Sequence, residues 1–146
     1  MNIKLYDLEE DVSIKCKIGN IPIENTYTSI GYFKVTGTYK AGSAGTSDAY
    51  HISGMMAYAQ SRYFNRYWIV DLSELSYVWG DDIDMIFNMG GDPKVDKCAH
   101  VVGPECIAAI STLGNLNASH RDCLKGEGMF DNISEAYSYI LKIMNP

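Results

Sequence analysis

The chain has 146 residues, 47% of them apolar and 21% charged, so it can form one domain with its own core and is neither disordered nor fibrous. Lys plus Arg number 12 and Asp plus Glu 18, a net charge of −6, which argues against direct nucleic-acid binding because that requires basic surface to release counterions. The same balance fits ordinary solvated surface charge or attraction to a basic protein partner.

No apolar run approaches a membrane span, and the first residues, with Asp7, Glu9 and Glu10, lack the apolar core of a signal peptide. The expectation is a cytoplasmic protein that meets no membrane. Cys16, Cys98, Cys106 and Cys123 form no Cys-x-x-Cys pair, so they are expected to be free thiols in a reducing compartment.

Residues 1–11 read as a loose lead-in to a single domain. Val12 to Ile18 alternates apolar and polar residues with the period of a half-exposed strand, and Gly19, Asn20 and Pro22 then signal a loop. Thr28 to Tyr39 is rich in Tyr, Phe, Val and Thr and reads as a second strand, with Gly37 marking a bulge or a close backbone approach. Ala41 to Ser47 is a small, glycine-rich turn. Ser47 or Asp48 suits the cap of a helix whose inner face carries Ile52, Met56, Ala59 and Tyr63. Gly54 weakens that helix modestly, and Asn65-Arg66 ends it.

Tyr67 to Val70, followed by Asp71-Leu72, is a short apolar run of the kind buried on both sheet faces, and Ser73 to Tyr77 reads as a connection. Gly80-Asp81-Asp82 predicts a helix start, since carboxylates suit the positive end of a helix dipole, and the helix is expected over Asp82 to Met89. Gly90 to Pro93 stops it. Cys98 to Val102 is the next strand, Pro104 suits the first turn of a helix carrying Cys106, Ile107, Ile110 and Leu113, and Leu124 to Phe130 contains a short edge strand. Asp131 or Asn132 starts a last helix with an apolar stripe from Ile133 to Met144, and Asn132 with Glu135 has capping-box spacing. Strands alternating with helices define an α/β fold: a single-domain mixed β-sheet with helices and an extra N-terminal strand.

Chemistry-bearing residues fall in several places. Cys106 near a helix start, with His100 and His120 in the chain, could make a nucleophile, but Cys106 also fits the apolar face of its helix. Cys98-x-His100 and His120-x-x-Cys123 could offer four zinc ligands, although structural zinc sites usually show tighter knuckles. Lys40 to Ser47 lies where a phosphate loop would, yet lacks its Gly-Lys-Ser/Thr ending. No metal, cofactor or catalytic residue is therefore expected. Asp81, Asp82 and Asp84 form an acidic turn that either caps a helix or docks a basic partner. Trp79 beside them is either core or an interface anchor.

Three segments resemble the sulfate-transporter and anti-sigma-factor-antagonist (STAS) family: Tyr32 to Tyr39, similar to its first long strand; Ile69 to Val78, similar to its central strand and loop; and Met129 to Ala136, similar to its entry to the last helix. The resemblance spans about Gly31 to Leu141 and implies a STAS-like sheet. The family's signalling members follow the central strand with Asp-Ser-Ser-Gly, whose serine is phosphorylated. This chain has Trp79-Gly80-Asp81-Asp82 there, without a hydroxyl. The resemblance thus implies a binding edge that has lost its phosphorylation switch.

Together these readings give a non-catalytic protein-binding domain, an immunity-type inhibitor that neutralises a basic partner such as a toxin. Trp79, Gly80, Asp81, Asp82 and Asp84 would meet the partner, with Ser43 and Thr46 of the glycine-rich turn beside them. The alternative is an anti-sigma-factor-antagonist-like regulator controlled by phosphorylation at Ser43, Ser73 or Ser76.

Overall fold

A computed structural model describes residues 3–4, 13–91, 97–113 and 128–145. Strand β1 (Ile14–Pro22) pairs antiparallel with β2 (Ser29–Thr38), in register from Ile14 opposite Gly37 to Pro22 opposite Ser29. β1 therefore runs through Gly19 and Asn20, where the sequence predicted a loop. It lies at the sheet edge, where glycine is tolerated and a proline at the strand end removes no needed ladder bond. At Gly37, φ is 108° and an added Cβ would collide with the Ser13 carbonyl, so the close approach expected there is present.

After β2 a 3-10 turn (Gly42–Ala44) leads into helix α1 (Gly45–Tyr63). Ile52, Met56 and Ala59 are buried as the helical spacing requires, and Tyr63 packs at the margin of the same core. The expected caps are not used. Ser47 Oγ donates to Ala44 O at 3.1 Å, and Asp48 turns inward to accept from Lys40 N at 2.8 Å. The preceding 3-10 turn already supplies acceptors for the first helical N–H, with Gly45 N donating to Gly42 O and Ser43 O, so the helix starts earlier, at Gly45. It ends at Tyr63, two residues before Asn65; Phe64 takes the left-handed conformation and returns its N–H to Gln60 O at 3.0 Å.

Strand β3 (Tyr67–Ser76) lies parallel to β2 and to β4 (Lys97–Val102). It was expected to end near Leu72. Instead a bulge carries it on: Lys34 pairs with Asp71, but Thr36 pairs with Glu74. Asp71 Oδ1 accepts from Ser73 N at 2.9 Å and holds the bulge, and Leu75 re-enters the core with no exposure. The next element is a 3-10 helix (Ile83–Gly91) where an α-helix was predicted. Asp82 sits at φ 61°, and Met85 N bonds to Asp82 O at 3.0 Å, an i to i+3 bond. Ile83 and Ile86 are three apart and both buried, so a three-residue turn stacks them on one side.

Gly103 to Cys106 forms a turn before helix α2 (Ile107–Leu113), with Ile107 N bonded to Gly103 O at 3.0 Å; Pro104 is in that turn, not in the helix. β5 (Met129–Phe130) adds parallel to β4, and helix α3 (Ile133–Met144) closes the chain. The Asn132 side chain accepts from Glu135 N at 2.9 Å, as the capping spacing predicted. The edge strand proposed from Leu124 is described only from Gly128 onward.

The sheet order is β1-β2-β3-β4-β5, antiparallel at the first pair and parallel thereafter: a single-domain α/β fold with a mixed sheet. On one face, Phe33, Trp68, Val70 and Leu72 pack beneath α1, the 3-10 helix and α2. On the other, Ile30, Ile69, Ala99 and Val101 meet Ala136 and Ile140 of α3. Burial on both faces explains why β3 reads as a continuous apolar run. No helix among the described residues is long and apolar enough to cross a membrane.

Candidate functional site

The loops leaving the C-terminal ends of β2 and β3 meet at one corner, which Tyr39 and Tyr77 build from inside. Their rings pack edge to face with centroids 5.3 Å apart. Tyr39 OH donates to Asp81 O at 2.6 Å, Tyr77 OH donates to Gly80 O at 3.4 Å, and Tyr77 N donates to Glu105 O at 3.0 Å. Asp81 N then donates to Gly42 O at 3.0 Å, tying the second loop to the first. Burial raises both tyrosine hydroxyls above their ordinary value. Around Tyr39 the charges of Tyr77, Asp48, Asp82 and Asp84 add to this; around Tyr77 those of Asp84 and Asp81 do, against a lowering bond to Gly80. Both hydroxyls stay protonated and remain donors.

Close packing leaves no room for a side chain at Gly80, where an added Cβ would stand 2.5 Å from Lys40 O and 2.8 Å from the Tyr39 ring. Gly80 is thus a hinge-free spacer that lets the two loops touch. The Lys40 backbone is anchored in turn by Asp48, which is fully buried. The Lys40 ammonium stands 3.8 Å from the other Asp48 oxygen, so the two charges offset each other at the base of the corner.

What this frame presents outward is Trp79, 61% exposed, and Val78, 77% exposed. The six-membered ring of Trp79 rests over Gly42, where a Cβ would stand 3.0 Å from Cη2, and φ at Gly42 is 61°. Trp79 and Val78 border an open, mostly apolar groove of about 450 Å³, whose other walls include Thr38, Tyr39, Lys40 and Ser76. Asp81 and Asp82 are exposed, and Asp84 is half-buried in the first turn of the 3-10 helix. Asp82 Oδ2 accepts from Thr46 Oγ1 at 2.7 Å. This carboxylate braces the second loop against α1, directly before the 3-10 helix begins at Ile83. Ser43 is exposed on the 3-10 turn.

The residues picked from sequence, Trp79, Gly80, Asp81, Asp82, Thr46 and Ser43, therefore come together around two loops, with Asp84 behind them. Sequence reasoning placed Gly42 in the neighbouring turn without its role as the seat of Trp79, and missed Tyr39, Tyr77, Lys40, Asp48 and Val78 for this site. Tyr39 and Asp81 are 42 residues apart, and no local pattern joins them.

Elsewhere, Cys106 is buried, with Sγ 3.4 Å from Leu72 O, and burial raises its thiol pKa. It is a core residue. Cys98 Sγ and His100 Nε2 are 3.8 Å apart in the core, while His120 and Cys123 lie outside the described residues. No group of three or more metal-ligating side chains occurs among the described residues. A second polar cluster lies on the α3 face of the sheet: Asp71 accepts from Tyr32 OH and Ser73 N, and Lys34 stands 3.9 Å from it and also pairs with Glu74. Burial pushes the Asp71 carboxyl up, but the bonds from Ser73 and Tyr32 and the Lys34 charge outweigh it and hold the group below the usual carboxylate range.

No protein-family model and no curated protein matches this chain.

Proposed function

We propose that this chain is a non-catalytic protein-binding domain, an immunity-type inhibitor that neutralises a basic partner protein such as a toxin in the cytoplasm. The observation that carries the reading is a tryptophan held on Gly42, 61% exposed, next to the exposed carboxylates of Asp81 and Asp82. A large aromatic side chain fixed before binding loses little freedom on contact, and Trp is among the residues that dominate binding energy. The neighbouring acids attract a basic surface and speed its approach. The free thiols of Cys16 and Cys106 fit a reducing compartment. The resemblance of the β2 and β3 segments to STAS domains supports a binding role at this end of the sheet.

The test is affinity for the product of an adjacent toxin-like gene, measured by calorimetry. Trp79→Ala is expected to weaken binding by roughly 30-fold or more, as an interface anchor would, and Asp81→Lys to weaken it further by opposing charge. Wild-type affinity in both variants would place the interface elsewhere.

The second reading is a phosphorylation-controlled regulator, favoured by one observation: Ser43 is exposed on the same corner. A phosphate there would add negative charge beside Asp81 and Asp82. Stoichiometric phosphoserine at Ser43 in the native protein, read by peptide mass spectrometry, would favour regulation over constitutive inhibition.

A further inference from the structure

The corner combines three features that one kind of side chain satisfies together. Trp79 offers exposed indole surface. The groove beside it, between Trp79, Val78 and the ends of β2 and β3, has mostly apolar walls. The ring also rests on Gly42, whose carbonyl accepts from Asp81 N, so Gly42 ties the indole and the acidic turn together. Among the described residues of the groove wall the cation is Lys40, which stands 3.8 Å from buried Asp48 and is offset by it. The charge facing a partner is therefore that of exposed Asp81 and Asp82.

We propose that Trp79 is the stacking platform for an arginine side chain of the partner. Its aliphatic part lies in the groove, its guanidinium plane covers the indole, and its N–H groups reach the carboxylates of Asp81 and Asp82. This rests on reading the corner as the partner-binding surface. Arginine fits better than lysine for three physical reasons. Its planar, weakly hydrated cation stacks on an aromatic face, it donates two parallel hydrogen bonds to a carboxylate, and it does both at once. An ammonium is a point charge that keeps its water and gains only the Coulomb part. Asp82 still has acceptor capacity, since Thr46 occupies a single site on Oδ2.

The test compares hexa-arginine and hexa-lysine peptides, equal in charge, titrated into the full chain at low and constant ionic strength. Trp79 fluorescence and calorimetry are the readouts. Trp68 is fully buried with its Nε1 bonded to Asn65 O at 2.8 Å, so an exposed-indole response belongs to Trp79. The expected result is about two- to fivefold tighter binding of the arginine peptide, the range for a partly solvated cation–π contact. Trp79→Ala is expected to level the two peptides, and Asp81→Asn with Asp82→Asn to weaken both. Equal binding of the two peptides by wild type, or a preference that survives Trp79→Ala, overturns the arginine platform and leaves the acidic corner standing. Failure of both peptides to bind wild type, or indifference to the double asparagine variant, overturns the corner itself.

Discussion

Asp71 shows how much depends on single side chains in this sheet. It is 5% exposed, yet carries a charge stabilised by Tyr32, Ser73 and Lys34. Its folded pKa lies below the unfolded value of about 4, so its contribution to stability is complete above that value. The contribution is lost as pH falls through the lower, folded value. Asp71→Asn is therefore expected to cost about 1–3 kcal/mol at pH 7, the scale of a buried hydrogen bond to a charged group. It should also make the acid side of the stability curve shallower below about pH 4. Urea unfolding at a series of pH values checks both. In the sequence Asp71 is only the polar residue near the end of an apolar run. Its partner Tyr32 lies 39 residues away, so the cluster had no local signal.

At the scale of elements, α1 carries an unexplained weakness in its middle. Gly54 has no atom within 4 Å of where a Cβ would stand, and its backbone is ordinary helix. Gly54→Ala is expected to stabilise the chain by about 1 kcal/mol, since alanine removes backbone freedom from the unfolded state without a clash. A rise in Tm of a few degrees in thermal unfolding is the measurement. The same scale separates what local pattern could and could not reveal. The face of α1 through Ile52, Met56 and Ala59 and the Asn132 cap were legible, because both are set by neighbours within one or two turns. The extension of β3 to Ser76 was not. It depends on a bulge braced by Asp71 and on Gly103, whose hydrogen stands where a Cβ would meet the Ser73 carbonyl. The 3-10 form of residues 83–91 was hidden as well, since apolar residues three and four apart fit both helix types.

Over the whole molecule, the proposed function implies that the charge of −6 and the acidic corner would act together on a basic partner. The association rate is expected to fall steeply as salt rises from about 0.01 to 0.15 M, while the dissociation rate changes little, because steering is screened over a Debye length. Stopped-flow mixing with the partner at several ionic strengths reads this directly. The order of strands and helices, and with it the α/β class, was fixed by the alternation of apolar patterns along the chain. Each pattern is the imprint of one element's own geometry and needs no partner to be read. The corner was legible in part: Trp79-Gly80-Asp81-Asp82 stands out as a polar break after an apolar strand. Whether that tryptophan would be core or surface could not be read locally. It depended on Tyr39 and Tyr77 filling the inside of the corner and on Gly42 offering the ring a seat, contacts between loops that only folding brings together.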